Sequence, residues 1–190
     1  MKSTCDEYIS ELRHTVSVAV LNYDIWWVYK SDRTRPQYID TMNRYRIFFT
    51  TSIHAHFVAL IVALYRLYEK RRDTHNIPGL IELVEKEGLL SATALASVRA
   101  KSDGARPLWK KVAVVRNKAF GHRSAAHTDE DVFREAGVSP NDLKQLLDIS
   151  KTLLNELTQE RSNNVHAWNL SGTHDIERLL TDLGAGRSAL

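Results

Sequence analysis

The chain has 190 residues, 43% of them hydrophobic and 26% charged, with a net charge of +3, which suits one folded domain with a sizeable core. Its single cysteine, Cys5, excludes an intrachain disulfide framework, and eight glycines and four prolines leave no low-complexity tract. Almost no run of β-branched residues alternates with polar ones, so the chain is expected to be helical.

In chain order, the first helix is predicted from Thr4 to Tyr29. Ile9, Leu12, Val16, Ala19, Val20, Tyr23 and Trp27 recur there at spacings of three and four and mark one apolar face. Ser31 to Pro36 breaks the pattern, and Pro36 is placed to open a second helix. That helix is predicted to run unbroken to Arg72, with Ile53, Phe57, Leu60, Ile61, Leu64 and Leu67 as its core stripe. Shorter helices are expected over Ile77 to Lys86 and Ser91 to Ala100, then a turn at Ser102-Asp103-Gly104. A helix from Arg106 to Phe120 follows, with Gly121 as its cap. After a polar loop, Asp129 to Ala136 is predicted as a short helix. Ser139-Pro140-Asn141-Asp142 opens the last long helix, which should bury Leu143, Leu146, Leu147, Leu153, Leu154 and Leu157. Thr173 to Leu183 reads as a terminal amphipathic helix. The expected fold is all-α: an antiparallel bundle with a four-helix core and extra short helices. Residues 1–160 form the helical domain, and residues 161–190 a C-terminal extension.

No basic–apolar–small pattern opens the sequence, so no signal peptide is expected. Ile47 to Leu67 is apolar, but Thr50, Thr51, Ser52, His54, His56 and Arg66 interrupt it, so a buried helix is expected rather than a membrane span. Those features predict a cytoplasmic protein. Cys5 stands near a chain end, where an ordered electropositive pocket is rare, and is expected to be incidental. His54 and His56 diverge by about 200° on a helix, which suits core or dimer packing better than a metal. His75 and His127 are expected on the surface. Trp26, Trp27, Trp109 and Trp168 have the chemistry to stack bases, but their helical spacing points to the core. No zinc spacing, glycine-rich phosphate loop or nucleophile elbow is present, so no metal and no cofactor are expected.

Charge is concentrated in one place. From Arg99 to Arg123, eight cations (Arg99, Lys101, Arg106, Lys110, Lys111, Arg116, Lys118, Arg123) stand against one acid, Asp103, for a local charge of +7. Such an island is either a polyanion-facing surface or a solvated helix face. Within it, Leu108, Val112, Val115 and Ala119 make an apolar stripe. Arg116 falls on one shoulder, beside Trp109 and Phe120, and His122 on the other. Six residues apart on a regular helix, the two diverge by about 120° and do not face one phosphate together. Either Gly121 ends the helix and frees His122, or a second copy supplies the missing partner.

Arg116-Asn117, then His122 after five intervening residues, resembles the signature of HEPN proteins: an arginine, often followed by a polar residue, with a histidine four to six residues on. Val115 to His122, together with Leu64-Tyr65-Arg66-Leu67-Tyr68 and Asp73 leading into Ile77, looks like the abortive-infection branch of that family. The resemblance spans roughly Tyr8 to Leu157. It implies a homodimeric, metal-independent endoribonuclease in which the RNA 2′-hydroxyl attacks the adjacent phosphate, leaving a 2′,3′-cyclic phosphate and a 5′-hydroxyl. His122 would then move protons, as imidazole does near neutral pH. Arg116 would stabilise developing phosphate charge, and Asn117 would orient the histidine or bond the phosphate. Lys110, Lys111, Lys118 and Arg123 would draw RNA in; for Asp73 and Glu69, helping to position the histidine stands open beside capping and solvated charge. The resemblance further implies a toxin or phage-defence role with a cognate antitoxin protein. A non-catalytic HEPN-like RNA- or protein-binding module is the alternative, and a purely structural helical partner protein a third.

Overall fold

The computed structural model describes residues 4–121 and 129–186. These form eight α-helices: α1 (Cys5–Lys30), α2 (Arg35–Arg44), α3 (Arg46–Tyr68), α4 (Ile77–Lys86), α5 (Ala92–Val115), α6 (Asp129–Ala136), α7 (Pro140–Ser162) and α8 (Thr173–Ala185). No strand occurs among the described residues, so the fold is all-α.

Local chemistry explains where the helices start. Thr4 and Glu7 exchange side-chain and backbone hydrogen bonds in a capping box at α1, and Ser139 and Asp142 do the same at α7. Asn76 caps α4 by accepting the Gly79 N–H at 2.8 Å. A side chain at Gly79 would meet the Tyr8 hydroxyl at 2.3 Å, so a larger residue there would have to displace the Tyr8 side chain where α1 meets α4. Gly137, at φ +54°, follows α6 in the left-handed region glycine favours.

Hydrogen bonds and ring contacts fix the helix directions. Asn22 meets His56, and Tyr29 meets Ser52, so α1 and α3 run antiparallel. Tyr65 receives Trp109, while His54 faces Phe120, so α3 and α5 are antiparallel too. Lys111 reaches Asp142 and Lys101 reaches Glu156, which reverses α7 against α5. Tyr23 to Pro140 and Arg13 to Thr158 close the ring by setting α7 against α1. The result is an up-down-up-down four-helix bundle. Its core includes Leu12, Val16, Leu60, Leu64, Val112, Val115, Leu146 and Leu153. A buried hydrogen bond crosses it from Tyr68 to Ser150 at 2.9 Å, and burial drives the Tyr68 hydroxyl pKa up.

A second, smaller core gathers Val28 and Tyr29 of α1, Met42 of α2, Phe49 of α3, and Ile176 and Leu180 of α8. Asp24 accepts the Ser171 hydroxyl at 2.7 Å and the Gly172 N–H at 3.2 Å, tying the approach to α8 onto α1.

The structure departs from the sequence reading at several points. The long second helix is two helices, broken at Tyr45 (φ −111°, ψ 44°) and ended by extended Glu69 rather than reaching Arg72. The bend sends α2 onto α8 while α3 stays on α1. The turn expected at Ser102-Asp103-Gly104 is helical, because α5 is continuous through it. Ala94, Val98, Ser102 and Ala105 keep one buried stripe running, and Pro107, which removes one helical N–H, lies with Asp103 on the exposed side. Nor is α3 buried all round. It is long and apolar enough to cross a membrane, yet only 28% of its most apolar 18-residue stretch is buried. Ile47 is 85% exposed and Phe48 60%.

Candidate functional site

The α-helical bonding of α5 stops at Val115, and the chain continues as a π-helical turn over Arg116–Gly121. Each N–H in such a turn reaches back five residues instead of four; π turns are uncommon and frequent at functional sites. The plain α-helix expected to Phe120 is therefore replaced, over the described part of the motif, by a wider turn. Val112 and Val115 are buried beneath it, with Leu108 and Ala119 partly so. That stripe fixes which groups reach the shoulder facing α3.

Two groups do. The Arg116 guanidinium carbon lies 4.7 Å from the centroid of the Tyr65 ring. Tyr65 stacks in turn on Trp109, with centroids 5.7 Å apart and planes 26° from parallel. Trp109 Nε1–H donates to the Tyr65 carbonyl oxygen, in the last turn of α3, at 3.0 Å. Arg116 Nη1 also donates to Asn117 Oδ1 at 3.0 Å, so the structure does bring these two predicted residues together. Among the described residues no carboxylate pairs with Arg116.

Farther along the turn, Phe120 is clamped edge-on between His54 (5.9 Å) and Phe57 (6.0 Å). His54 is exposed rather than in the core. Its relation to the motif was legible only as spacing, since His54, Val58, Ile61 and Tyr65 follow one face of α3. His56 behaves differently. It is half-buried with Nδ1 2.8 Å from Asn22 Oδ1, and burial lowers its pKa. His122 and Arg123 lie outside the described residues, as does His127.

The basic island is largely answered by acids that the fold brings in. Lys101 pairs with Glu156 at 2.7 Å, Lys111 with Asp142 at 3.0 Å and Lys118 with Glu135 at 2.5 Å. Arg99 pairs with Glu85, and Arg106 with Asp103 at 3.2 Å. Lys110 is exposed and has no ion pair among the described residues. Of the island's described cations, Lys110 and Arg116 are thus the two left without a carboxylate. Asp73 is taken by a two-point bond from Arg71, at 3.0 and 2.6 Å, which holds its carboxyl below the usual range. Glu69 is buried at the end of α3. Among the described residues no group of three or more His, Cys, Asp or Glu is placed to hold a metal ion.

No curated protein and no solved structure matches the chain. A family model described as AbiU2, of the HEPN type, matches residues 2–180. The match runs past Leu157, where the motif resemblance stops, and takes in most of α8. The chain belongs to the AbiU2 family of the HEPN superfamily.

Proposed function

We propose that this protein is a metal-independent endoribonuclease that acts as a homodimer. The observation that carries the reading is Arg116. In a π turn of a family-type motif, its guanidinium is held by an aromatic ring and by Asn117, and no carboxylate among the described residues neutralises it. A held, uncompensated guanidinium suits the extra negative charge that builds on a phosphate under attack.

In the proposed reaction the RNA 2′-oxygen forms a bond to phosphorus and the bond from phosphorus to the 5′-oxygen breaks. The 2′-hydroxyl proton leaves to an imidazole, and the departing 5′-oxygen takes up a proton. His122 is assigned that proton traffic, Arg116 the charge on the phosphate oxygens, and Asn117 the orientation of either group. Of Lys110, Lys111, Lys118 and Arg123, the residues expected to attract RNA, Lys110 is assigned the leading part, because Lys111 and Lys118 each face a carboxylate.

The homodimer rests on α3. Ile47, Thr51, Ala55, Val58 and Val62 follow one another along its outer face, beside His54 and the π turn, and Tyr45 and Phe48 extend the apolar surface. Exposed apolar surface of this kind marks an interaction site. A second copy laid on it would bury the face and bring two motifs near one axis. Polar Thr51, His54 and Arg66 on and beside the face suit a protein partner better than lipid.

From the abortive-infection character of the family we infer a toxin or phage-defence effector in the cytoplasm, restrained by a cognate antitoxin. Expression of the chain alone should then be toxic. The decisive experiment incubates the purified protein with a broad set of RNAs in EDTA and identifies the product ends. Cleavage to 2′,3′-cyclic phosphate, lost in His122→Ala and Arg116→Ala, is expected. Cleavage that needs divalent metal, or persists in His122→Ala, would refute the mechanism. RNA binding without any cleavage would assign the chain to the binding-module reading.

A further inference from the structure

We propose that Tyr65, backed by Trp109, is the positioning residue for Arg116: an aromatic platform that holds the guanidinium while leaving its charge unneutralised. The inference rests on the nuclease reading for its consequence, and on geometry for its existence.

An arginine side chain has four flexible torsions and loses much freedom when fixed. Proteins usually fix one with a carboxylate, as Arg71 is fixed by Asp73 here. That solution cancels the charge and occupies the forked N–H pair that would grip a phosphate. An aromatic face works otherwise. The ring quadrupole attracts the cation from one side, the N–H groups stay in the guanidinium plane, and the charge remains. Arg116 uses one N–H on Asn117, and among the described residues the others have no carboxylate partner and stay open to an anionic ligand.

The platform is itself locked. Tyr65 is half-buried in the last turn of α3 and stacks on Trp109. Trp109 lies seven residues before Arg116, two turns back on the same side of the helix. Its indole N–H is tied to the Tyr65 backbone oxygen at 3.0 Å, which fixes the plane of the lower ring. Motif and platform therefore meet at one seam between α3 and α5. The five paired cations of the island follow the opposite scheme, with a carboxylate for each.

The test compares Tyr65→Phe with Tyr65→Leu in the full-length protein. Phe keeps the ring, whereas Leu keeps bulk without a quadrupole. Tyr65→Phe should cleave RNA like wild type, while Tyr65→Leu should lose about tenfold in kcat with KM little changed. A merely structural role would not give that split with rescue by phenylalanine. NMR supplies a readout independent of activity: the Arg116 side-chain protons, assigned by their loss in Arg116→Ala, should be shifted upfield by the ring current. That shift should persist in Tyr65→Phe and vanish in Tyr65→Leu. Full kcat in Tyr65→Leu, or no upfield shift in wild type, would overturn the platform. If wild type cleaves no RNA, the nuclease reading fails, and the NMR comparison still decides whether the platform exists.

Discussion

Lys111 and Arg116 stand five residues apart, one in α5 and one in the π turn that follows, and the two seams they occupy hold a cation by opposite means. Against α7, Lys111 Nζ lies 3.1 and 3.0 Å from the two oxygens of Asp142. That carboxylate also takes the N–H and hydroxyl of Ser139, each at 2.7 Å. Against α3, Arg116 rests on a ring. The first arrangement turns charge into architecture, because it joins α5 to the start of α7. The second keeps charge available to something outside the chain. Counting cations along the sequence does not separate the two, and the island is less exposed to a polyanion than its +7 suggests.

The hardest test of that contrast is Arg116→Lys. Lysine preserves the charge but loses the planar fork and the guanidinium contact with the Tyr65 ring. If Arg116 acts on phosphate charge, cleavage should fall about a hundred- to a thousandfold, close to the loss in Arg116→Ala. Circular dichroism should show the same helix content in both variants. Lys111→Met, at the other seam, should leave the cleavage rate within about threefold. Near-normal cleavage by Arg116→Lys would reduce the site to a point charge.

The same contrast explains what the sequence made legible. The ends of α1, α4, α6 and α7 were readable because caps and breakers act over three or four residues, as with Thr4 and Glu7 or Ser139 and Asp142. The buried leucines of α7 were readable from their spacing. The break at Tyr45 was not, because it answers to α8, which lies far along the chain. The continuity of α5 through Gly104 and Pro107 is hidden from the sequence for a related reason: burial of Ser102 and Ala105 against the bundle overrides weak local propensity. In the site, the Arg116-Asn117 pair was visible as a motif. Tyr65 lies within a string that carries only a family resemblance, and the spacing of His54 on its own suits packing. Their placement beside the π turn comes from the antiparallel register of α3 against α5, a tertiary fact.

A second test, next in size, concerns the outer face of α3, whose inner face is core and whose outer face carries Ile47 and Phe48 at 85% and 60% exposure. Replacing both with aspartate should leave the monomer folded, because neither is buried in it. Each copy would lose roughly 1.5 kcal/mol of apolar contact, and two-fold symmetry doubles this, for about a hundredfold weaker dimer. Light scattering at micromolar concentration would then report a monomer. A wild-type protein already monomeric, or a variant still dimeric, would remove α3 from the interface. Partition of the wild type into lipid vesicles would assign the face to a membrane instead.

At the α7 seam a smaller effect is expected, in stability rather than rate. Burial raises the pKa of Asp142, but hydrogen bonds from Ser139 and Lys111 outweigh it and hold the carboxyl below its ordinary value. A carboxyl with a lowered folded pKa stabilises the fold above its unfolded pKa, about 3.9. That contribution fades as pH falls through the folded value. Asp142→Asn should therefore cost about 1 kcal/mol at pH 7 and lose part of the acid sensitivity below about pH 4. Urea titrations at pH 7 and pH 3 measure both. An unchanged gap between wild type and variant at the two pH values would mean the pair adds no pH-dependent stability.

The smallest effect separates neighbouring lysines. Lys110 is exposed and has no ion pair among the described residues, whereas Lys111 is engaged by Asp142. RNA binding releases about 0.7 counterion for each phosphate neutralised on a single strand. Lys110→Glu should therefore flatten the salt dependence of RNA affinity by about that amount and weaken binding a few-fold at low salt. Lys111→Glu should leave the salt slope almost unchanged, because that charge already faces a carboxylate. Its cost should appear in stability, since the substitution sets two carboxylates against each other at the start of α7. Fluorescence anisotropy across a range of salt, paired with thermal melts, distinguishes the outcomes. Equal flattening in both variants would show that RNA opens the Lys111–Asp142 pair, and the division between structural and available charge would then not hold on this helix.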